Sequence, residues 1–363
     1  MTTFSVDITD FTHITEENFT EKEREASRFL ESNANLNDEA ISSNGQLYKF
    51  RDRQPHVKLN TGYSLPLIGL GTWKSEKGQV QAAVETAIRA GYRHIDCAYV
   101  YENEHEVGEA LRNIFKEGIV ERSDLFITSK LWNSSHNPRA VEAAVQRTLS
   151  DLGLSYLDLY LVHWPAVTGN VGPQLEPPYQ VTWRAMETLV SAGLVRSIGV
   201  SNLSQKKLDK LLEECSIWPA VNQVEAHPYF RNSSLIQHCE ILGIHVTAYS
   251  PLGSPDSASL MGRPATMQGP MQDTVVKQVA EKLGKTPAQV LVRWAVQRGT
   301  SVLPKSVHPD RLRANLDVLE WSISKEDFER LSSFSYQQRM VNGSFLLNPK
   351  GPYKTLEDLW DEE

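Results

Sequence analysis

Residues 91–104 read GYRHIDCAYVYENE. An apolar run over 92–98 carries Asp96, and Tyr101 follows directly after it. A core strand gains nothing by ending in a carboxylate and a phenol. An active site on a barrel does, because its chemistry sits at the C-terminal ends of the strands. Two later runs end the same way. Residues 124–131, DLFITSKL, carry Lys130 near their end, and residues 157–164, LDLYLVHW, carry His163. Asp, Tyr, Lys and His therefore stand once each at successive strand ends, in chain order.

Working outward, strand and helix patterns alternate from His56 to about residue 333. Residues 56–66, HVKLNTGYSLP, read as two short strands around Asn60-Thr61-Gly62, a hairpin signal. Eight strands are expected at 67–70, 94–98, 125–129, 157–163, 195–200, 220–224, 244–249 and 301–303. Helical spacing is expected at 78–90, 103–116, 138–152, 179–192, 204–214, 233–242, 273–283 and 287–297. In the first of these Val80, Ala83, Val84, Ala87 and Ile88 share one face. Asn137-Pro138 places a capping side chain before a proline at the first helical position, and Gly153 follows the end of that helix. Eight strands alternating with about eight helices is an α/β (β/α)₈ barrel, here with an N-terminal hairpin. A doubly wound sheet would carry a Gly-rich phosphate turn after its first strand. Gly69-Leu70-Gly71-Thr72-Trp73 lacks that spacing.

The chain of 363 residues is expected to divide into an acidic N-terminal extension, 1–50, set apart by its composition, a barrel, 51–336, and a C-terminal tail, 337–363. The extension is rich in Ser, Thr, Asn and acid and is expected to be flexible or a partner-binding arm. Thr20 and Glu23 offer a capping box for one short helix in it. It has neither a basic start followed by an apolar run nor the acid-poor composition of a transit peptide. The net charge of -8 argues against nucleic acid or an anionic membrane as partner. No apolar run is long enough to span a bilayer. Cys97, Cys215 and Cys239 are too few for a disulfide framework and lack metal-ligand spacing. A reduced, cytoplasmic setting and no metal are expected.

Singly, each polar strand end has a plain reading. Asp96 and Lys130 make a buried salt bridge, Tyr101 a satisfied phenol, His163 a hydrogen-bonded core histidine. Together they suit one task, giving a proton to an oxygen that is gaining negative charge. An unperturbed phenol has a pKa of about 10 and is a sluggish acid at neutral pH. A neighbouring ammonium lowers that value, a carboxylate steadies the ammonium, and an imidazole orients a carbonyl. The set describes carbonyl reduction, or alcohol oxidation in reverse. Side chains supply no hydride, so a nicotinamide cofactor is expected. The second half of the barrel has groups to hold one. Ser201, Asn202 and Gln223 suit a carboxamide, and Tyr249 suits a flat ring. Lys305, Ser306 and Arg311 at a helix start suit an extra phosphate, such as that of NADP. Surface charge is the plain reading of the two cations.

From about Val57 onward the chain resembles the aldo-keto reductases. The strings that carry the likeness are LPLIGLGTW at 65–73, GYRHIDCAYVYENE at 91–104, ITSKLW at 127–132 and LDLYLVHWP at 157–165. GVSN at 199–202, NQVEAHPY at 222–229, AYSPLG at 248–253 and LPKSVHPDRLRAN at 303–315 complete the series in family order. The resemblance implies a barrel that is typically monomeric and reduces aldehydes and ketones with NADPH. It makes Tyr101 the proton donor, Lys130 and Asp96 the pair that tunes it, and His163 the substrate-orienting group. Ser201, Asn202 and Gln223 match the family's carboxamide contacts and Tyr249 its stacking ring. Ser250, Leu252 and Ser254 match the loop over the pyrophosphate, with Lys74 and Asp256 as the two sides of a clasp. Lys305, Ser306, Arg311 and Asn315 match the adenosine-phosphate end. Trp73, Trp132 and Trp164 match the substrate walls, which as plain packing would cap the barrel.

Two positions depart from the pattern. Ala314 stands where many relatives carry a Glu that contacts adenine, and His308 where a small polar residue is common. Substrate choice in the family lives in three loops, here 166–179, 253–272 and roughly 337–363. The second is expected to fold over the cofactor as a lid. The ending GPYKTLEDLW resembles plant-type aldose and aldehyde reductases, which implies aliphatic, aromatic and sugar aldehydes. Two other classes stay open: a non-catalytic cofactor-sensing subunit, and a barrel lyase or isomerase that uses Lys130 as a Schiff-base amine.

Overall fold

The computed structural model describes residues 54–361 apart from Leu260 and Ala265. The acidic extension, with its capping box at Thr20 and Glu23, lies outside the described residues. Strands β1 (His56–Lys58) and β2 (Ser64–Pro66) pair antiparallel, as the Asn-Thr-Gly turn requires. Their hairpin buries Leu59 and Leu65 against Phe126, Leu159, Leu161 and Val221. It thus stoppers the end of the barrel at which the strands begin.

The barrel strands are β3 (Leu70–Gly71), β4 (His94–Asp96), β5 (Phe126–Leu131) and β6 (Leu157–Val162). They continue as β7 (Val195–Ser201), β8 (Val221–Glu225), β9 (His245–Tyr249) and β10 (Ser301–Leu303). All pair parallel in chain order. Parallel bridges from Ile68 to Val302 and from Gly71 to Lys305 join the last strand to the first and close the ring.

Between the strands run α1 (Val80–Ala90), α2 (Glu104–Lys116), α3 (Pro138–Leu152), α4 (Tyr179–Ser191), α5 (Gln205–Leu212) and α6 (Ser233–Ile241). Helix α1 buries the five apolar residues that its spacing singles out. In α3 the Asn137 side chain accepts the Arg139 N–H at 3.0 Å, Pro138 opens the helix, and Gly153 closes it at φ 66°. A left-handed residue there is nearly free for glycine alone.

Helices α7 (Thr274–Leu283) and α8 (Pro287–Gln297) form at the expected spans, both between β9 and β10, so one-to-one alternation breaks there. The eighth outer helix is α9 (Pro309–Leu316), after β10. Two further short helices, α10 (Lys325–Ser332) and α11 (Leu356–Trp360), lie beyond the sequence expectation. Each carries an acceptor side chain at its start, from Ser324 and Thr355. Those caps were the available signal. The last helix packs Leu359 and Trp360 with Trp164, Ala166, Met261 and Val341 over the end where the strands finish.

Candidate active site

At that end the strands converge on a cavity of about 1090 Å³. Asp96 is the last residue of β4, Tyr101 sits in a single 3-10 turn, Tyr99–Tyr101, Lys130 is inside β5, and His163 follows β6. The ring closure brings them together. Lys130 Nζ donates to Asp96 Oδ1 at 2.5 Å, to the Cys97 carbonyl at 2.8 Å and to the Tyr101 hydroxyl at 3.3 Å. Gln223 Nε2 holds the other Asp96 oxygen at 2.8 Å. His163 meets the Tyr101 ring edge to face at 5.8 Å. Its Nδ1 is enclosed, so Nε2 is the ring nitrogen available to a ligand.

Asp96, Tyr101 and His163 line the cavity, whereas Lys130 stands behind them with no exposed surface. An amine held by three acceptors and shut off from the cavity is a poor Schiff-base former. Burial pulls the Lys130 ammonium down, but the Asp96 charge, then Tyr101, outweigh it and hold it above its ordinary value. His163 is driven well below its ordinary value, chiefly by burial and then by Lys130, so the imidazole is neutral.

The phenol departs from the sequence expectation. Lys130 does lower the Tyr101 pKa, but burial wins, and the hydroxyl is pushed up to about 12. Removing a phenolate from water costs more here than one ammonium at 3.3 Å returns. Tyr101 is thus a firmly protonated acid at neutral pH.

Every residue assigned to the cofactor half lines the same cavity. Ser201 Oγ donates to the Gln223 carbonyl at 2.8 Å, Asn202 Nδ2 to the His163 carbonyl at 3.0 Å, and the Tyr249 hydroxyl to Asn202 Oδ1 at 2.7 Å. These bonds fix a polar platform beside Asp96, Tyr101 and His163, with the Gln223 side-chain oxygen left for a ligand N–H. Lys74, Asn202, Ser250 and Ser254 all take left-handed backbone angles, at φ 60°, 62°, 49° and 44°. Such conformations are costly for non-glycine residues and gather where a ligand is clamped. His308 precedes α9 as its N-cap residue, and Arg311 and Asn315 line the cavity from within that helix.

A bridge crosses the cavity. Lys74 Nζ donates to Asp256 Oδ1 at 2.6 Å and to Ser254 Oγ at 2.9 Å. Lys305, expected at the phosphate end, also reaches inward: Nζ lies 3.1 Å from the Lys74 carbonyl oxygen and 3.9 Å from Asp256. An elongated ligand with an amide head, an aromatic ring and an anionic end fits the cavity under this bridge. The pair is partly exposed, so its strength is that of a surface ion pair, up to about 1 kcal/mol. Lys74→Ala should therefore raise the NADPH Kd only about three- to sixfold while speeding release in a stopped-flow chase. An unchanged release rate would remove the clasp role.

Trp73, Trp132 and Trp164 line the same cavity. Val100, Met261, Val341 and Phe345 line it too; the last three fall in loops assigned to substrate choice, but none of the four was singled out as a residue. Val341 and Phe345 belong to the tail, whose path depends on a buried anchor. Glu225, at the end of β8, accepts the backbone N–H groups of Met340 at 2.5 Å and Val341 at 2.7 Å, and pairs with His227 at 2.7 Å. Its spacing within NQVEAHPY held no hint of that partner. Glu225→Ala leaves two buried N–H groups unpaired, at a cost of about 2–4 kcal/mol. The expected result is a tail that is cleaved readily by protease. A tail as resistant as the wild type's would contradict it.

Among the described residues no helix is long and apolar enough to cross a membrane, and Cys97, Cys215 and Cys239 are buried and form no disulfide.

With this fold and site in view, the comparisons with known proteins agree. The aldo/keto reductase family profile matches residues 67–335. The chain is 47% identical over 313 residues to aldo-keto reductase family 4 member C11 of Arabidopsis thaliana, covering 84% of this chain and 97% of that one. It is 47% identical over 298 residues to aldo-keto reductase family 1 member A1 of Rattus norvegicus, covering 78% and 90%. Among solved structures, the aldose reductase of Schistosoma japonicum superposes with a TM-score of 0.72 at 41% identity, covering 82% and 98%. An aldo-keto reductase of Bombyx mori in complex with NADP superposes at 0.75 and 34% identity, covering 84% and 99%. The family and these relatives make the protein an oxidoreductase. The chain belongs to the aldo/keto reductase family.

Proposed function

We propose that this protein reduces aldehydes and ketones, aldoses among them, to alcohols with NADPH, and that Tyr101 donates the proton. One observation carries the reading. The Asp96–Lys130–Tyr101 chain opens onto a cavity that a neutral His163, in edge-to-face contact with the Tyr101 ring, also lines. The nicotinamide, when bound over Ser201, Asn202, Gln223 and Tyr249, supplies the hydride. The chain's own residues manage the oxygen. Tyr101 and His163 both donate to the carbonyl oxygen and hold it in place. As negative charge grows there, the Tyr101 O–H bond breaks and its proton completes the alcohol. Lys130 then faces the new phenolate at 3.3 Å, and Asp96, held by Gln223, keeps that lysine charged. Trp73, Trp132 and Trp164 exclude water from the reacting oxygen. In this reading 51–336 is the catalytic barrel and 337–363 its substrate-side cover.

Lys305 and Arg311 favour NADPH over NADH. The test is loss of NADPH absorbance with straight-chain, aromatic and sugar aldehydes, repeated with NADH. The expected result is aldehyde-dependent consumption that is faster with NADPH. Binding of NADPH without turnover of any carbonyl would instead support the cofactor-sensing reading.

A further inference from the structure

Glu104 is a buried carboxylate, 3% exposed, that the mechanism above does not use. It is the first residue of α2, three positions past Tyr101. Its Oε1 accepts a hydrogen bond of 2.5 Å from Ser129 Oγ, and its Oε2 one of 2.9 Å from Thr148 Oγ1 of α3. Ser129 is the neighbour of Lys130 in β5, and in a strand the two side chains face opposite sides. Lys130 therefore points at the Tyr101 hydroxyl while Ser129 points out at Glu104. The helix that begins after the tyrosine is thus bolted to the strand that carries the lysine.

The turn itself needs such support. Glu102, directly after Tyr101, takes a left-handed φ of 55°, which its own preferences do not favour. On the other side, Asn103 Nδ2 donates to the Thr72 carbonyl at 3.0 Å, and Thr72 Oγ1 to the Asp96 carbonyl at 2.8 Å. The reach of Glu104 to α3 is also built in. A side chain at Gly108, one turn further along α2, would come within 2.2 Å of the Asp151 carbonyl oxygen and 2.9 Å of the Leu152 backbone. Glu104 to Gly108 and Thr148 to Leu152 are the same step on facing helices, so the close approach at one end sets the hydrogen bond at the other.

We infer that Glu104 is a positioning residue for proton transfer, clamping the Tyr101 turn to β5 and so setting the distance between Tyr101 and Lys130. This rests on the reductase reading above. Its ionisation matters to the clamp, because a carboxylate has two acceptor oxygens and a neutral carboxyl has a proton of its own to place. Burial raises the Glu104 pKa to about 6, against the hydrogen bonds from Ser129 and Thr148. Asp151 from α3 adds to the rise, and Lys130 from β5 opposes it. Cys97 after β4 and Tyr160 in β6 are the other titratable groups that feel its charge.

The test compares wild type, Glu104→Gln and Ser129→Ala across about pH 5 to 8. With Glu104→Gln, kcat should fall about tenfold or more at the alkaline end, in line with the cost of a misplaced acid. The NADPH Kd, read by protein fluorescence quenching, should stay within about twofold. The gap in kcat should close as pH falls through about 6, where the wild-type carboxyl becomes neutral. Thermal stability gives an opposite signature. A carboxyl whose pKa is raised on folding lends stability below its unfolded value and loses it as pH rises through the folded one. The melting temperature of Glu104→Gln should therefore improve relative to wild type as pH rises. Ser129→Ala, a milder change, should lower kcat without moving the Kd. A glutamine variant with the wild-type kcat profile overturns the clamp alone. So does one that loses cofactor binding and stability at every pH, as a merely structural residue would. A wild type without turnover overturns the reductase reading and the clamp together.

Discussion

Tyr101→Phe should bind NADPH as the wild type does and lose nearly all turnover, by about 10²–10⁴-fold in kcat, the range of a general acid. The substitution removes one oxygen. That oxygen accepts from Lys130 at 3.3 Å, and its loss leaves Lys130 with Asp96 and the Cys97 carbonyl. The ring packing against Trp73 and His163 is retained. The fold and the cofactor platform should therefore be untouched. A variant that keeps a tenth or more of the wild-type kcat would show that the proton comes from elsewhere. Cofactor affinity, measured by fluorescence titration, separates that case from a collapsed site.

The second large effect is expected at Lys130. Its side chain is 0% exposed and its ammonium neutralises Asp96, itself 4% exposed. Lys130→Met leaves that carboxylate buried with only Gln223 for company. Breaking a buried pair in this way costs about 3–5 kcal/mol, and a large drop in melting temperature should accompany loss of turnover. Adding Asp96→Asn to Lys130→Met removes the lone charge. The double variant should recover much of the melting temperature and none of the activity. That split distinguishes a pair kept for chemistry from one kept for folding. Equal recovery of both would mean that Lys130 acts on turnover only through stability.

The parts of this molecule that can be read from its sequence are those with strong local signals. The eight strands are short apolar runs, and α3 begins at Asn137-Pro138 and stops at Gly153 because those residues cap a helix in almost any context. The four residues of the proposed catalytic set are visible because polar groups recur at successive strand ends, a pattern that the plain reading of each one alone does not explain. The parts that stay hidden are decided by contacts between distant segments. Helix α10 spans KEDFERLS, too polar to show a face by periodicity. Val341 and Phe345 reach the cavity because Glu225, more than a hundred residues earlier, holds the tail. The tail's likeness to the family's third substrate loop points to the cavity, but no local pattern in it shows which residues reach there or what anchors them. The direction of the Tyr101 shift was hidden for the same reason. A neighbouring lysine can be inferred from strand order, but how thoroughly water is excluded depends on the closed packing of the barrel top.

The measurement that tests the central claim most directly is the pH dependence of kcat in both directions, reduction of an aldehyde and oxidation of the matching alcohol. Tyr101 must be protonated to donate and deprotonated to accept, and burial holds it well on the protonated side at neutral pH. Reduction should therefore be flat through neutrality and fall only at alkaline pH, while oxidation climbs over the same range. Reduction that accelerates as pH rises, or two directions that share one profile, would contradict Tyr101 as the acid.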